Sequence, residues 1–484
     1  MTLRRMLLCI FTTALLIHVS FATQNENQCE NARYTSKHRV FVLTDISNEP
    51  DDQMSLVRLL VYANELDIQG IAAVTSTFLK NATDEATIRT VISAYGNVTR
   101  NLDSHASSGA PFPRAEELLA KVYKGHSVYG LESLKLNTSE AALALIDAVD
   151  DSEKPLWITI WGGAAVLAEA LFRVENTRTT NDTATFVKKL RVYSISDQDD
   201  AGSWIRQNFP ALFYIVSLHG FTEFSQATWN GISGEDYRHF DKGGPDSSLV
   251  TNDWLQKHIR IGDLGAHYPN FSYIMEGDTP SFLPLIQNGL GDPEHPEYGS
   301  WGGRYTLVDS SGRTQTFANT ADYVYGISGD TYYSSFASIW RWRKAYQYDF
   351  ATRMQWTITG NYSNSNHPPV VVVNKTCAPS AFEVSYKSGE SIVLDASQSW
   401  DPDNDELTFN WFSYRDVTTP MDGNLPEIFP NITVTNLDEH GSVVRVSPPN
   451  LGLLDLKFHL ILSVEDKRDM ALTSYRRIIF TPEA

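Results

Sequence analysis

The sequence is poor in positive charge and in cysteine, and it lacks a second long apolar run after its first twenty residues. Its 39 Lys and Arg stand against 58 Asp and Glu, which gives a net charge of −19. This balance argues against a phosphate-binding surface, and hence against nucleic acid as a partner. No later segment has the roughly 20 apolar residues that span a bilayer, so the sequence predicts no membrane span in the mature chain. Nothing in the composition indicates an oligomeric state.

Several catalytic motifs are also missing from the sequence. The histidines are scattered with no HExxH spacing, there is no GxSxG elbow, and the Gly-Gly pairs do not form a phosphate loop. These absences exclude the common zinc-protease, esterase and P-loop classes. In contrast, 42% of the residues are hydrophobic and 12% are aromatic, which is ample for a globular core.

The first 22 residues predict a secretory signal peptide. Arg4 and Arg5 precede the apolar run Met6–Val19, and Ser20-Phe21-Ala22 places small residues at a cleavage site. An uncleaved anchor is the alternative, but the run is shorter than a membrane span. We therefore expect a secreted, extracellular protein. N-glycosylation sequons fit this expectation and occur at Asn81, Asn97, Asn137, Asn181, Asn270, Asn361, Asn374 and Asn431.

Cleavage of the signal peptide would remove Cys9 and leave Cys29 and Cys377. Two cysteines are too few for a zinc site of their own. In an oxidising compartment they are the one intramolecular pair available. The sequence thus predicts a disulfide that ties the mature amino terminus to the C-terminal part of the chain.

The hydrophobic pattern predicts two domains after the signal peptide. From Arg39 to about Trp356, apolar strands alternate with helical segments, which is typical of an α/β fold with a mostly parallel sheet. The polar linker at residues 361–369 interrupts this rhythm, and a series of short strands follows it. We predict an α/β domain over residues 23–362 and an all-β sandwich over residues 366–484.

The densest acidic cluster lies between the first strand and the first helix, in the segment from Asp45 to Asp52. It places four carboxylates, Asp45, Glu49, Asp51 and Asp52, at the carboxyl edge of the sheet, where open α/β folds bind ligands. Such a cluster is balanced by a hard cation such as Ca²⁺ or by a ligand rich in hydroxyl groups. An acidic first helical turn is the structural alternative, but a helix cap needs only one acid.

This cluster resembles the first motif of the nucleoside hydrolases, a strand followed by DxDxxxDD. More closely, the chain is similar to a secreted, nucleoside-hydrolase-like branch described as cellulose-binding, with TDIxNEPDD here and a cadherin-like domain behind it. Other matching segments are Trp161–Ala164, Ile195–Asp200, Glu276–Phe282, Gly291–Tyr298 and Trp301–Arg304. The resemblance implies a Rossmann-like nucleoside-hydrolase fold followed by a cadherin-like sandwich.

The resemblance also implies roles for single residues. It makes Asp45, Asp52 and Asp278 ligands of one Ca²⁺, together with a carbonyl near Ala164 or Ala165. Asp51 or Glu49 would then act as general base or hold a substrate hydroxyl.

Two positions depart from the family motif. In a gapless alignment Ser47 replaces the second acid; if the loop is instead longer, Asp45 takes that role and Glu49 is an extra acid. Gly277 stands where the family has a leaving-group histidine.

Further candidates for carbohydrate binding lie in the same turn and in the loop-rich region that follows the alternating strands. We predict substrate contacts for Asn48, Trp229, Glu276, Asp292 and Trp301; either tryptophan suits stacking on a sugar ring or simple burial. Arg304 suits a carboxylated sugar or an ion pair.

The Asp-rich turn of the second domain also has two interpretations. Asp401, Asp403 and Asp405 could bind Ca²⁺, or they could simply form a turn.

Taken together, the motifs predict a carbohydrate-active protein that hydrolyses a glycosyl bond. The alternative is a polysaccharide-binding protein without catalysis, with cellulose as the ligand class. In either case the expected partner is a carbohydrate or glycoside.

Overall fold

The structure is a computed structural model that describes residues 29, 32–33, 36–107, 109–377, 379–387, 389–418, 431–449 and 456–483. The predicted signal peptide, residues 1–22, lies outside these described residues. None of the helices in the described ranges is long and apolar enough to cross a membrane.

The first domain is built on one central sheet, whose eight strands within the described residues have the order β3-β2-β1-β4-β5-β6-β8-β7. All neighbours run parallel except β7, which is antiparallel to β8. A separate hairpin pairs β9 with β10. The strands are β1 (His38–Thr44), β2 (Leu66–Ala73), β3 (Val122–Lys124), β4 (Leu156–Ile160), β5 (Leu190–Ser196), β6 (Phe213–Ser217), β7 (Tyr305–Leu307), β8 (Thr316–Asn319), β9 (Asp322–Tyr325) and β10 (Thr331–Ser334).

Helices connect these strands and cover the sheet. The α-helices are α1 (Pro50–Val61), α2 (Glu85–Asp103), α3 (Ala115–Leu119), α4 (Glu140–Asp150), α5 (Ala165–Thr177), α6 (Thr180–Lys188), α7 (Ala201–Asn208), α8 (Glu235–Arg238), α9 (Asn252–His258), α10 (Gly262–Gly265), α11 (Ala337–Trp340) and α12 (Arg343–Ile358). Between β6 and β7 the chain forms mostly short 3-10 turns and loops, as the Gly- and Pro-rich sequence there predicts.

Strand β1 shows why the sheet sequences are continuously apolar. Val40 and Val42 pack into the core on one face, whereas Phe41 and Leu43 pack into the core on the other face. Because helices cover both faces of a parallel sheet, both sets of alternating side chains are removed from water. The predicted α/β class with a mostly parallel sheet is confirmed.

The second domain contains two small sheets with a core of their own. One has the order β11-β17-β16-β13 and the other β12-β15-β14. Their pairs are antiparallel except β11 with β17. The elements are β11 (Phe382–Tyr386), β12 (Ile392–Asp395), β13 (Leu407–Ser413), α13 (Arg415–Thr418), β14 (Thr433–Asn436), β15 (Val443–Ser447), β16 (Phe458–Asp466) and β17 (Thr473–Pro482).

The two domains meet in a buried interface. Tyr414, Ile461 and Tyr475 of the second domain belong to one of the two cores of the first. Cys29 and Cys377 are joined in a disulfide with their Cα atoms 5.3 Å apart, as the cysteine count predicts. Helix α12 ends before residues 362–366, and β11 begins after them. The exact domain limits, 23–362 and 366–484, stay predictions.

In two places the structure differs from what the local sequence pattern predicts. The pattern predicts one helix over residues 334–357, but the chain forms α11 and then α12, with a break at Arg341 and Trp342. Residues 369–373 read as a strand, yet Val370 and Val373 form only isolated bridges with Trp400 and Thr376.

Candidate functional site

The acidic segment lies at the carboxyl edge of the sheet, where β1 ends and α1 begins. Pro50 starts α1, which suits proline because the first helical N–H has no partner inside the helix. The loop after β4 reaches the same place: the backbone N–H groups of Trp161 and Gly162 donate to the carbonyl of Leu43. A Cβ atom on Gly162 would lie 2.5 Å from Oδ1 of Asp45. Glycine is therefore required there to admit the Asp45 carboxylate.

Four buried aspartates form the floor of the site. Carboxylate oxygens of Asp51, Asp52 and Asp278 lie within 4.8 Å of one another. Asp45 adjoins this group, because its charge acts on both Asp52 and Asp278. All four side chains are at most 7% exposed. The structure thus places Asp45, Asp52 and Asp278 in one region and adds Asp51 to the closest group; their role as metal ligands stays a prediction.

Burial and mutual repulsion shift the pKa values of these groups upward. Burial, followed by the charges of Glu49 and Asp45, raises the pKa of Asp51 to about 7. Burial and the negative charge of Glu49 raise the pKa of Asp45 to about 6, although hydrogen bonds that favour the charged form oppose this rise. The pKa values of Asp52 and Asp278 rise well above their ordinary range for the same two reasons. At neutral pH the cluster therefore favours a proton or a cation.

The donor set of this cluster fits a hard divalent cation. Oδ2 of Asp278 is buried and has no hydrogen-bond partner among the described residues. Within that part of the chain, no lysine or arginine forms an ion pair with any of the four aspartates. Oxygen-only ligands and excess negative charge are what Ca²⁺ prefers in proteins.

Ser47 does not occupy the place of the missing second acid. It has a left-handed backbone with φ of 83° and is exposed. Its hydroxyl donates to Oδ2 of Asp84 at 2.6 Å, the residue that caps α2. Glu49, two residues on, is half-buried beside the cluster, and Asn48 is exposed in the same turn.

A cleft of about 410 Å³ opens above the aspartates. Glu49 and Asp51 line it together with Trp229, Arg238 and an aromatic wall. The aromatic residues of this wall are Phe78, Phe224, Tyr237 and Tyr273. Phe78, Tyr237 and Tyr273 are about half exposed, which suits stacking on a sugar ring. Phe78 and Tyr273 lie in loops and Tyr237 lies in the short helix α8, so no periodicity in the sequence marks them.

Trp229 lies in the wall of this cleft and is held by a hydrogen-bonded chain. Its indole N–H donates to Oγ of Ser196 at 3.0 Å, and Ser196 pairs with Nε2 of His219 at 2.9 Å. Nδ1 of His219 faces the carbonyl of Gly220 at 2.8 Å and therefore carries the proton. Ser196 consequently donates to Nε2. The arrangement fixes the indole in one orientation, and the sequence predicted Trp229 but not the residues that hold it.

Three predicted substrate-binding residues lie elsewhere. Glu276 is fully buried and is bound by Arg58, Tyr268 and Thr279, so its carboxylate is structural. Burial lowers the pKa of His38 and the charge of Asp292 opposes this shift, so the two side chains are close. Because His38 is the first residue of β1, Asp292 lies toward the opposite edge of the sheet from Asp45.

Trp301 and Arg304 belong to the domain interface. Trp301 is buried against Tyr475, so burial and not sugar stacking describes it. Arg304 forms a buried ion pair with Asp322 at 2.6 Å, which realises the ion-pair interpretation.

Gly277 explains why the family histidine has no counterpart. A Cβ atom there would lie 2.7 Å from Oδ2 of Asp51 and 3.1 Å from the Trp229 ring. The space next to Asp278 is thus already filled by Asp51 and Trp229. No side chain at residue 277 can serve a leaving group.

An α/β domain with this sheet and an acidic site at the end of β1, followed by a β-sandwich, defines a nucleoside-hydrolase-like protein of two domains. Residues 39–305 match the family model described as the nucleoside hydrolase-like domain of cellulose-binding Sde182. Residues 391–482 match the model of the C-terminal domain of cellulose-binding protein Sde0182. The chain belongs to this family.

One solved structure agrees with this membership, and a second is much less similar. A nucleoside hydrolase-related protein from Saccharophagus degradans, associated with carbohydrate metabolism, is 31% identical; the match covers 93% of this chain and 100% of that chain, with a TM-score of 0.74. An inosine-uridine preferring nucleoside hydrolase from Bacillus anthracis is 15% identical over 66% of this chain and 99% of that chain, with a TM-score of 0.34. None of the curated proteins compared with the chain matches it significantly.

Proposed function

We propose that the protein is a secreted carbohydrate-active hydrolase that cleaves a glycosyl bond in the cleft above Asp51. The observation that carries this proposal is the convergence of buried carboxylates beneath a wall of half-exposed aromatic rings. Hydrolysis of glycosyl bonds uses carboxyl groups beside the bond that breaks. Aromatic rings supply the apolar faces on which sugars stack. The family description as cellulose-binding supports a polysaccharide as the ligand class.

The acids of the cleft divide between two tasks. Asp52 and Asp278, with Asp45 or Asp51 as a third carboxylate, would hold a Ca²⁺ ion. When bound, such an ion polarises a water molecule or substrate hydroxyl and lowers its pKa. Asp51 lines the cleft and is placed to accept a hydrogen bond from a sugar hydroxyl.

Glu49 is the best candidate for general base. It lies on the cleft wall, and burial raises its pKa while Arg238 opposes the rise. A carboxyl group with a raised pKa exchanges protons more readily near neutral pH. Glu49 is also less buried than the aspartates beneath it, so it is accessible to a substrate.

The alternative function is polysaccharide binding without catalysis, and two observations favour it. Ser47 points to Asp84 instead of the cluster, so the second acid of the nucleoside hydrolases has no substitute from that position. Gly277 supplies no side chain that could donate a proton to a leaving group from that position. Under this alternative the aromatic wall and Asp51 serve recognition alone.

One experiment separates the two functions. The purified chain and its Glu49→Gln variant are incubated with insoluble cellulose and with a panel of soluble glycans and nucleosides. Bound protein and released reducing sugar are measured together. Glu175→Gln, on the exposed side of α5, is the matched control.

Release by the wild type and the control, with release lost but binding retained in Glu49→Gln, supports the hydrolase. Binding without release from any compound by any variant supports the binding protein. Absence of both binding and release contradicts both functions.

Secretion is part of the proposal. All eight sequon asparagines are exposed, as attachment of a glycan requires, and the disulfide requires an oxidising compartment. Expression with the native first 22 residues should place a shorter, glycosidase-sensitive protein in the medium. Retention of the full-length, unglycosylated chain inside the cell would contradict it.

A further inference from the structure

A second group of acids lies far along the chain from the cleft, in the β-sandwich. Carboxylate oxygens of Asp401, Asp403 and Asp405 lie within 4.8 Å of one another. These residues occupy the turn before β13. Oδ1 of Asp401 accepts the backbone N–H groups of Asp403 and Asp405 at 2.8 and 3.1 Å. Those bonds satisfy one oxygen of Asp401 and form the turn, as expected if the Asp-rich segment is simply a turn.

The other oxygen of Asp401 has no such explanation. Oδ2 is buried and, among the described residues, has no hydrogen-bond partner. The Asp401 side chain as a whole is 6% exposed. A buried carboxylate oxygen without a donor destabilises the folded chain unless a cation or a water molecule satisfies it. The burial of this oxygen without a donor therefore indicates a ligand, in addition to the closeness of the three acids.

A fourth acid from the end of β16 supplies a second unsatisfied oxygen. Asp466 is 2% exposed, and its Oδ1 also lacks a donor among the described residues. Its Oδ2 accepts from the side chain of Asn366 at 2.9 Å and from the backbone of Leu472 at 3.0 Å. Burial, and then the charges of Asp401 and Asp405, raise the pKa of Asp466. Asp466 lies outside the group of three, but near enough for the charges of Asp401 and Asp405 to act on it. The local sequence of the turn does not reveal this neighbour.

The charge around these acids is not balanced by protein side chains. Arg468 pairs with Asp405, while Lys467 pairs with Glu406 outside the group. His367 contacts Asp403 through Nδ1 at 3.0 Å. Four carboxylates therefore face one arginine and one imidazole. Carboxylate oxygens that lack hydrogen-bond donors, together with an excess of negative charge, are the conditions under which proteins bind a hard cation.

We propose that Asp401, Asp403, Asp405 and Asp466 form a Ca²⁺ site that locks the linker between the two domains. All candidate ligands are oxygens, which Ca²⁺ prefers over softer metals.

The linker is already attached to these acids. Asn366 donates to Asp466, and the backbone of His367 donates to Asp403 at 2.8 Å. His367 in turn stacks on Trp356 of α12 and on Tyr362. A cation here would order the contacts that fix one domain against the other.

The test measures calcium binding to the full chain by calorimetric titration. The background is Asp278→Asn, which removes the cation proposed for the cleft. We expect this protein to bind one Ca²⁺ and to lose it when Asp401→Asn or Asp466→Asn is added. Asp469→Asn, exposed in the same loop, is the control and should leave binding unchanged.

The outcomes keep the two sites apart. No calcium bound by Asp278→Asn, or binding unaffected by both added substitutions, overturns the sandwich site. If the wild type and Asp278→Asn each bind one ion, the cleft lacks calcium but the sandwich site stands.

Limited proteolysis of the wild type needs no variant. Chelation of calcium should speed cleavage within residues 361–369, and an unchanged cleavage rate would also overturn the proposal.

Discussion

Replacing Asp51 by Asn should stabilise the calcium-free protein, and more strongly at high pH than at low pH. The carboxyl of Asp51 has a pKa of about 7 in the folded chain, against an ordinary value of 3.8. Between these two values the folded state binds more protons than the unfolded state. Stability contributed by this group therefore falls as the pH rises from about 4 to about 7.

The size of the effect follows from linkage. Asp51 costs the folded state about 4 kcal/mol at pH 8 and about 2 kcal/mol at pH 5. Asparagine cannot ionise, so Asp51→Asn should gain about these amounts, with a difference of about 2–3 kcal/mol between the two pH values. Repulsion from Glu49 and Asp45, which contributes to the shift, disappears with the charge.

The assay is guanidinium unfolding of both proteins in a calcium chelator at pH 5 and pH 8. Asp151→Asn, at an exposed position beyond α4, is the control and should show no such pH dependence. Added Ca²⁺ should shrink the advantage of Asp51→Asn, because a bound cation offsets the same repulsion. Equal stabilisation by Asp51→Asn at both pH values would refute the reasoning.

Two further predictions concern the architecture, and a third concerns the cleft. Asp322→Ala should destabilise the chain by about 3–5 kcal/mol, since it leaves Arg304 buried without its partner; a loss below about 1 kcal/mol in chemical unfolding would contradict this. Reduction of the Cys29–Cys377 disulfide should lower stability by about 2–5 kcal/mol, and an unchanged melting temperature under reducing conditions would count against it. Gly277→Ala should weaken glycan binding in a pull-down, because its Cβ displaces Asp51; unaltered binding would show that the cleft tolerates the shift.

The sequence alone determined the fold class and the location of the site. Apolar runs such as β1 alternate with helical patterns along the chain. A parallel sheet between two layers of helices is the arrangement that buries both faces of such runs. Because β1 ends at Thr44, the acids that follow had to lie at the carboxyl edge of that sheet. The cysteine pair was fixed by counting, since two thiols allow one bond within the chain.

Only the tertiary structure decided which distant residues share that edge with the acids. Asp278 lies with the acids beneath the cleft, and Trp229 lies in the cleft wall. In contrast, Glu276 pairs with Arg58, and Trp301 is buried in the domain interface. Asp466 approached the turn at Asp401 because β13 and β16 pair, a contact between residues more than fifty positions apart. Composition and periodicity report which side chains leave water, but the partner of a buried polar group depends on long-range packing. For that reason the direction of Ser47 toward Asp84, and the space closed at Gly277, could be read only from the folded chain.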